Sequence, residues 1–314
     1  MPSLNLTNEL CWPEHRSGWT YALSLLSPYQ QDEGIVVDGC LDATFGYRAA
    51  SCLQEQKIPY RTSWVGFLHH PVHICPWYYQ ENLSPRYTLE SEPFRQSLPY
   101  CQGIFTLSEY LAQHVRDIIH HSVKVLSVAH PTEQSPLLFN PDKFRNDKKV
   151  VQVGYWMRRL TSLFKLKADG YSKILPVAGH TLRYLKNEIQ FLNHLTQEDI
   201  DSVNMIEYLP HSVYDEMLAE SVVFLDLYDS SANNAVIECI LRNTPLLVNK
   251  IRPVVEYLGE EYPFYYRDLE EAGSMLQDDG LIEEAHAYLQ NHNLKERLKG
   301  SSFLRSVLDS PIFS

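Results

Sequence analysis

Short apolar runs alternate with amphipathic stretches along the whole chain, and this alternation restricts the possible folds more than any other feature of the sequence. Residues 34–38 and 222–227 are typical of buried strands, whereas Leu111, Val115 and Ile119 form the apolar stripe of a helix. Strands that alternate with helices predict parallel sheets with helices on their faces. The chain is therefore expected to be an α/β protein.

The predicted elements fall into two groups, separated by the segment 130–149, which carries three prolines and ends in a polar run typical of a linker. At about 150 residues per domain, a chain of 314 residues corresponds to two domains. We predict domains at 1–142 and 143–285, and a helical segment at 286–314 that packs back on the first domain. Strands are predicted at 34–38, 63–68, 103–107, 123–128, 150–153, 174–177, 203–206, 222–227 and 245–248. Helices are predicted at 19–26, 44–56, 108–119 with Ser108 as its N-cap, 212–219, 234–242 and along the C-terminal segment.

The charge and hydropathy of the chain exclude several classes of protein. There are 27 basic and 39 acidic residues, whereas a general nucleic-acid binder needs a basic surface. The longest apolar runs are far shorter than a membrane-spanning helix, and the first residues lack the pattern of a secretory signal. The six cysteines form no CxxC pair. We expect a cytoplasmic protein with reduced thiols and no integral membrane segment.

The stretch 222–250 is the most informative part of the sequence, because it has the pattern strand, polar turn, helix, strand. Ser231 or Asn233 is placed to cap the helix, whose first N–H groups have no partner within the helix. These N–H groups and the helix dipole attract anions, so the helix start is predicted to bind a phosphate. The predicted phosphate-binding residues are Asn233, Asn234 and Ala235.

Glu238 lies four residues after the first residue of this predicted helix, and therefore on the same face. A carboxylate one turn inside an anion-binding helix start is well placed to accept hydrogen bonds from ribose hydroxyls, as in dinucleotide-binding folds. An ordinary capped helix with a solvated Glu would show the same local pattern. The residues around it therefore decide between the two interpretations.

A second candidate phosphate-binding element follows the predicted strand 150–153. Gly154 comes directly after the strand, and Arg158, Arg159 and Lys165 follow closely. This pattern places cations at the carboxyl end of a strand, where such sheets bind their ligands. Arg is permanently charged and contacts phosphate through two N–H groups at once. In an acidic protein, this concentration of cations favours a binding role over a solvated helix start.

Two features of the first half lie at similar places. Gly18 precedes the predicted helix 19–26, and a glycine there lets the backbone approach a phosphate. His69, His70 and His73 follow the predicted strand 63–68, which suggests a zinc site. No carboxylate lies at ligand spacing, so no metal is expected.

The aromatic residues Trp77, Tyr78 and Tyr79 follow the histidines. Flat aromatic faces suit the C–H surfaces of sugar rings, so this cluster is interpreted either as an acceptor wall or as a packed loop. The sequence alone leaves both interpretations open.

Several motifs of the second half resemble the nucleotide-sugar domain of GT-B fold glycosyltransferases, particularly the retaining, family-4-like kind. The resemblance is carried by Tyr208-Leu209-Pro210, Asn233-Asn234, Glu238 and Asn243-Thr244-Pro245. It implies two Rossmann-like domains that face a cleft, with the nucleotide sugar held by the second domain. It also implies transfer without a bound metal and front-face attack by the acceptor, which retains the configuration of the sugar.

The resemblance implies a role for each candidate residue. Tyr208 and Leu209 would contact the base, Asn233, Asn234 and Ala235 the diphosphate, and Glu238 the ribose. Gly18 and Arg159 would also bind the donor, whereas His69, Arg158 and Lys165 would act in catalysis. The sequence departs from the family at Ser230, which stands where the retaining enzymes carry a first Glu. Asp229 is one position away from it.

We therefore expect a hexosyl- or pentosyltransferase that moves a sugar from a UDP- or GDP-linked donor to an acceptor hydroxyl, with no cofactor. One alternative is a nucleotide-sugar 2-epimerase, which would need further acid and base carboxylates in the cleft. Another is a catalytically inactive, glycosyltransferase-like binding subunit, which the residue at 230 favours. A Rossmann-type oxidoreductase is disfavoured because no GxGxxG follows a predicted strand.

Overall fold

The computed structural model describes residues 2–6, 18–78, 83–120, 123–133, 137–192, 194–207, 209–291 and 293–314. Its strands are β1 (Leu4–Asn5), β2 (Ile35–Asp38), β3 (Trp64–Leu68), β4 (Cys101–Thr106), β5 (Lys124–Ser127), β6 (Lys149–Val151), β7 (Ser172–Val177), β8 (Val203–Glu207), β9 (Val222–Leu225), β10 (Leu246–Asn249) and β11 (Tyr265–Tyr266). Its helices are α1 (Trp19–Leu26), α2 (Ala49–Gln54), α3 (Pro85–Glu90), α4 (Glu92–Ser97), α5 (Glu109–Ile119), α6 (Pro141–Asn146), α7 (Thr161–Lys165), α8 (Gly179–Leu192), α9 (Gln197–Asp201), α10 (His211–Ala219), α11 (Asn234–Arg242), α12 (Arg252–Leu258), α13 (Leu269–Leu276), α14 (Asp279–Gln290) and α15 (Gly300–Leu308).

These strands form two parallel sheets. The first sheet has the order β1-β2-β3-β4-β5. Its strand β3 is buried along its whole length, because Val65 and Phe67 face one apolar cluster while Trp64 and Leu68 face another. Helices therefore cover both faces of this sheet, as the α/β pattern of the sequence predicts.

The second sheet has the order β11-β10-β9-β6-β7-β8. The chain starts in the middle at β6, moves outward through β7 and β8, and then returns to β9 on the other side of β6. This is the doubly wound order of a Rossmann-like domain. Its switch point lies between β6 and β9, where Val150 pairs with Val222. Ligands of such sheets bind at the carboxyl ends of the strands that flank the switch point.

The predicted strands are confirmed, with ends that differ by at most two residues. Helices α1 and α11 have the predicted bounds, and α5 begins after Ser108, whose hydroxyl accepts a hydrogen bond from the Leu111 N–H. The predicted helix 44–56 is wrong in its first part, because Asp42–Tyr47 forms a π-helical turn before α2. Such turns are frequent at functional sites.

The segment 130–149, interpreted as an interdomain linker, contains the helix α6, which the sequence pattern did not indicate. Asn140 caps helix α6, and Phe139 and Phe144 are buried in the core of the second domain. The backbone is held as well, because the Phe139 N–H donates to the Arg242 carbonyl at 2.8 Å. Polar residues at exposed positions of this short helix surround its one buried aromatic side chain, Phe144, which is why the sequence resembles a linker.

The C-terminal helix α15 lies against α1 of the first domain. The rings of Phe303 and Trp19 meet edge to face at 6.1 Å, and Phe303 belongs to the apolar cluster of the first sheet. Gly300 lets the two helices approach closely, since a Cβ there would lie 2.8 Å from the Tyr21 hydroxyl. The exact ends of the predicted segments, 142 and 285, stay a prediction. Within the described ranges, no helix is long and apolar enough to cross a membrane.

Candidate functional site

The two predicted phosphate-binding elements meet at the switch point of the second sheet. The loop after β6 and the loop after β9 run alongside each other and exchange backbone hydrogen bonds. The Tyr228 N–H donates to the Met157 carbonyl at 2.8 Å, and the Arg159 N–H donates to the Asp226 carbonyl at 2.8 Å. The structure thus brings into one site two segments that lie about 70 residues apart in the sequence.

Arg158 connects the first loop to the start of α11. Its guanidinium donates to the side-chain oxygen of Asn233 at 3.2 Å and to the Trp156 carbonyl at 2.8 Å. The side chain crosses directly over Gly154, which has φ +75° and where a Cβ would lie 2.9 Å from the guanidinium carbon. Glycine is required here both by this close approach and by the left-handed backbone.

Burial lowers the pKa of Arg158, and the nearby Glu238 carboxylate opposes this effect. The residue is nearly inaccessible to water, and its Nε–H has no partner among the described residues. A buried guanidinium stays charged because its pKa in water is far above neutrality. The site therefore holds a fixed positive charge at the start of α11.

Asn233 is the N-cap of α11, one of the two caps that the sequence allows. Its side-chain oxygen accepts hydrogen bonds from the Ala235 and Val236 N–H groups at 3.1 and 3.3 Å. Asn234 is the first helical residue, as predicted. The same oxygen receives Arg158, so the helix cap and the cation form one unit. Ser231, the other possible cap, is buried and its hydroxyl has no partner in the described part of the chain.

Glu238 lies one turn inside α11 and is almost completely buried. Its carboxylate accepts a hydrogen bond from the Tyr214 hydroxyl on α10 at 3.0 Å. Leu209 packs against the core of the second domain just before α10, and Tyr208 lies outside the described residues. Leu209 is therefore connected to Glu238 through α10, which carries Tyr214. Their contacts with a nucleotide stay a prediction.

The other two predicted cations carry ion pairs. Arg159 forms a salt bridge with Asp226 at 2.8 Å, and its guanidinium lies over the Tyr228 ring at 5.2 Å. Its side chain keeps 37% of its surface exposed. Lys165 forms a salt bridge with Asp199 on α9 at 2.6 Å. Arg159 thus faces the joined loops, whereas Lys165 is held by a neighbouring helix.

Glu188 is a buried residue beside this site that no motif of the sequence indicates. Its carboxylate is buried under the loop after β6, where it accepts hydrogen bonds from the Leu160 N–H at 2.8 Å and the Thr161 hydroxyl at 2.7 Å. Burial raises its pKa to about 7. Its helical spacing from Thr181, Tyr184 and Leu185 could have indicated that Glu188 is buried, because the four residues share one face of α8.

In the first domain, His69 follows β3 and is held in one orientation. Its Nε2–H donates to the Gly39 carbonyl at 2.8 Å, and its ring meets Trp19 edge to face at 4.5 Å. The buried carboxylate of Asp42 accepts the His69 N–H at 2.8 Å. Burial lowers the pKa of His69, so the imidazole is neutral at pH 7.

Gly18 directly precedes Trp19 and begins α1 without a side-chain cap. Gly18 is thus adjacent in the chain to Trp19, whose ring contacts the predicted residue His69. Their roles toward a ligand stay a prediction. The part of the chain that the structure describes contains no group of three His, Cys, Asp or Glu residues able to hold a metal ion.

The aromatic cluster after the histidines is a packed loop, so its interpretation as a sugar-stacking wall is wrong for the described residues. Trp77 and Tyr78 are buried, and the Tyr78 ring stacks on Tyr184 at 4.1 Å. The Tyr78 hydroxyl also binds the backbone of the loop after β6, donating to the Tyr155 carbonyl at 2.6 Å. Their faces are used inside the protein. Tyr79 lies outside the described residues.

A groove of about 490 Å³ lies beside the joined loops, with walls from both domains. Its lining residues are Val72, His73, Ile74, Ser84, Arg86, Tyr87, Glu90 and Tyr228. The first seven belong to the first domain, and Tyr228 belongs to the loop after β9. At its edge, the His73 N–H donates to the Asp229 carboxylate at 2.8 Å. Asp229 thus stands at the contact between the two domains.

Comparison with known proteins shows no matching protein-family model and no matching curated protein sequence. Solved structures do match over almost the whole chain. TarM of S. aureus has a TM-score of 0.63 at 11% identity, and the match covers 94% of this chain and 59% of TarM. The chain therefore spans less than two thirds of the length of TarM.

Two further structures cover more of their own length. HepE of Anabaena has a TM-score of 0.64 at 10% identity, and the match covers 98% of this chain and 97% of HepE. A UDP-forming trehalose-phosphate synthase from Burkholderia xenovorans has a TM-score of 0.58 at 15% identity, with 93% of this chain and 76% of that chain covered. All three are GT-B nucleotide-sugar glycosyltransferases. The resemblance drawn from the motifs is confirmed at the level of architecture: this chain has the GT-B fold, with two Rossmann-like domains.

Proposed function

We propose that this protein is a glycosyltransferase that moves a sugar from a nucleotide-diphosphate donor to the hydroxyl of an acceptor. One observation carries the proposal. Arg158, Arg159 and the capped start of α11 lie together at the switch point of a doubly wound sheet. N–H groups and guanidinium groups in this arrangement match the charge of a diphosphate.

The buried groups around the site supply the remaining requirements of the chemistry. When the bond from the sugar to the diphosphate breaks, negative charge grows on the leaving phosphate, and donors fixed in place stabilise it. Arg158 is already held by Asn233 and the Trp156 carbonyl, so it needs no rearrangement. Glu238 lies one turn deeper, where a ribose would extend from the diphosphate.

The nucleotide is best supported as a uridine diphosphate. The TarM and HepE structures were solved in complex with UDP, and HepE was also solved with UDP-glucose. We propose a UDP-hexose as the donor of this chain. Transfer with retention of configuration and without a bound metal is part of the same proposal, and it is supported by the motifs of the second domain.

The groove between the domains is the proposed place of the acceptor. It borders Tyr228, which carries Arg159 on its ring, so an acceptor there would lie next to the proposed leaving group. Tyr87 offers a partly exposed aromatic face, and Arg86 and Glu90 offer hydrogen-bonding head groups. This combination suits a hydroxylated acceptor.

A second candidate is a protein that binds the nucleotide sugar without transferring it. Two observations favour it: Ser230 replaces the first carboxylate of the retaining enzymes, and the charges of Arg159 and Lys165 are paired with Asp226 and Asp199. Slow release of free sugar from the donor by the purified protein would exclude this candidate, because hydrolysis uses the same bond cleavage.

The first experiment is a thermal-shift screen with UDP, GDP, ADP, CMP and dTDP. A ligand that binds only the folded protein raises the melting temperature, by mass action. We expect UDP to give the largest shift, and we expect Arg159→Ala to reduce it. Arg145→Ala is the matched control, because Arg145 lies on the surface of α6 and pairs with Asp142 and Glu283. A screen in which no nucleotide shifts the protein would reject the proposal.

A second experiment tests the ribose contact. Glu238→Ala is expected to weaken UDP binding strongly, measured by calorimetry. Tyr214→Phe is the matched control, because it removes the hydrogen bond to Glu238 and leaves the carboxylate in place. Unchanged affinity in Glu238→Ala would reject the ribose role while leaving the diphosphate site to be tested by Arg159→Ala.

A further inference from the structure

Tyr110, at the start of α5 in the first domain, makes three different contacts with the second domain. Its N–H donates to the Glu256 carboxylate on α12 at 2.7 Å. Its hydroxyl donates to the Asp229 carboxylate at 3.3 Å. Its ring lies under the guanidinium of Arg252, at 5.8 Å. One residue thus connects α5 to two separate segments at the carboxyl edge of the second sheet.

Glu256 occupies the start of α5. Its two carboxylate oxygens accept the N–H groups of Glu109 and Tyr110, at 2.6 and 2.7 Å. These N–H groups have no partner within the helix, and a carboxylate at a helix N-terminus is stabilised by the helix dipole. The Ser108 hydroxyl accepts the Leu111 N–H instead. The cap of α5 is therefore completed by the other domain.

Asp229, which accepts the Tyr110 hydroxyl, lies close in the chain to the candidate donor site. It lies four residues before Asn233, in the turn that leads from β9 into α11. Its carboxylate accepts the Ser230 N–H at 2.7 Å within the turn, and the His73 N–H and the Tyr110 hydroxyl from the first domain. Because Asp229 is almost completely buried, these donors determine its orientation.

Helix α12, which binds α5 through Glu256, is also connected to the loop after β9. Helix α12, which carries Glu256, starts shortly after β10, whose last residue is Asn249. The Asn249 side chain accepts the Leu227 N–H and donates to the Leu227 carbonyl, both at 2.8 Å. The segments that hold Tyr110 are therefore joined to each other through the loop after β9.

We propose that Tyr110 and Glu256 are positioning residues that couple the closure of the two domains to the order of the turn leading into α11. This inference rests on the proposed function for its catalytic consequence. When Glu256 caps α5, the hydroxyl of Tyr110 reaches Asp229 and holds the turn in the conformation that presents Asn233 and Arg158. When the cleft opens, both contacts are lost together and the turn loosens.

The first test measures hydrogen exchange in the protein without ligand. Tyr110→Phe removes only the hydroxyl, and we expect amide exchange in the turn 229–233 to rise about ten-fold. Glu256→Ala is expected to raise exchange both at the start of α5 and in this turn, whereas Glu256→Gln, which keeps one acceptor oxygen, gives a smaller rise. Tyr100→Phe and Glu283→Ala are the matched surface controls and leave exchange in the turn unchanged. Unchanged exchange of the turn in Tyr110→Phe and Glu256→Ala would overturn the coupling.

The second test separates positioning from binding. With UDP-glucose as the donor and release of free sugar as the measured reaction, Tyr110→Phe is expected to lower kcat about ten-fold and to change the donor KM less than about two-fold. An unchanged kcat together with faster exchange would show that the contacts of Tyr110 and Glu256 are structural only and would overturn the positioning role. If the unmodified protein binds none of the nucleotides, the proposed function fails. The exchange experiment still decides whether the contacts of Tyr110 and Glu256 order the turn 229–233.

Discussion

Replacement of Asn233 by Ala gives the sharpest test of the candidate donor site. The Asn233 oxygen accepts the Ala235 and Val236 N–H groups and one N–H of Arg158. Loss of an N-cap costs about 1 to 2 kcal/mol. The Arg158 N–H group is buried and would lose its partner, at a further cost of about 1 to 3 kcal/mol. We expect Asn233→Ala to lower the free energy of unfolding by about 2 to 5 kcal/mol, measured by urea denaturation.

Asn233→Asp separates this stability effect from binding. The carboxylate still caps α11 and pairs with Arg158, so the free energy of unfolding is expected to equal or exceed that of the unmodified protein. The new negative charge faces any bound diphosphate, and we expect UDP affinity to fall about ten-fold or more, measured by calorimetry. Unchanged UDP affinity in Asn233→Asp would refute the placement of the diphosphate at α11. A loss below about 0.5 kcal/mol in Asn233→Ala would refute the cap itself.

Three further predictions concern Glu188, Gly154 and Phe303. Burial raises the pKa of Glu188 from 4.5 to about 7. Between these two pH values the folded protein keeps a proton that the unfolded chain loses. The free energy of unfolding should therefore fall by about 3 kcal/mol as the pH rises from 4.5 to about 7. Urea denaturation across pH should show this slope in the unmodified protein and a flatter curve in Glu188→Gln. Gly154→Ala should cost about 1 to 3 kcal/mol and weaken UDP binding, because a Cβ collides with Arg158 and φ is positive. Phe303→Ala should cost about 3 to 5 kcal/mol, seen by thermal denaturation, because its side chain fills the core of the first domain; an unchanged melting temperature would contradict that packing.

Local patterns in the sequence were sufficient for most of the fold. The strands around the switch point are short apolar runs, and α11 begins at an Asn cap and ends before a Thr-Pro pair, so its bounds follow from local chemistry. The sequence pattern did not predict helix α6, where buried side chains are few and are surrounded by polar ones. Helix α6 contributes Phe144 alone to the core, and such a pattern does not differ from that of a loop.

The candidate site was predictable in part for a related reason. Gly154, Arg158 and Asn233 belong to motifs whose meaning depends on a strand end or a helix start, and both are visible in a single sequence. Glu188, Asp229 and Glu256 act on segments far away in the chain. Their side chains carry no local motif, so no spacing rule identifies their partners.

The sequence by itself determined which segments become strands and helices and which helix start attracts an anion, because hydrogen bonding and apolar periodicity act over a few neighbouring residues. Only the tertiary structure decided that Arg158 meets Asn233 across 75 residues, and that the carboxylate of Glu256 caps a helix of the other domain. Such pairings depend on strand order and domain packing, and therefore on the summed burial of the whole chain.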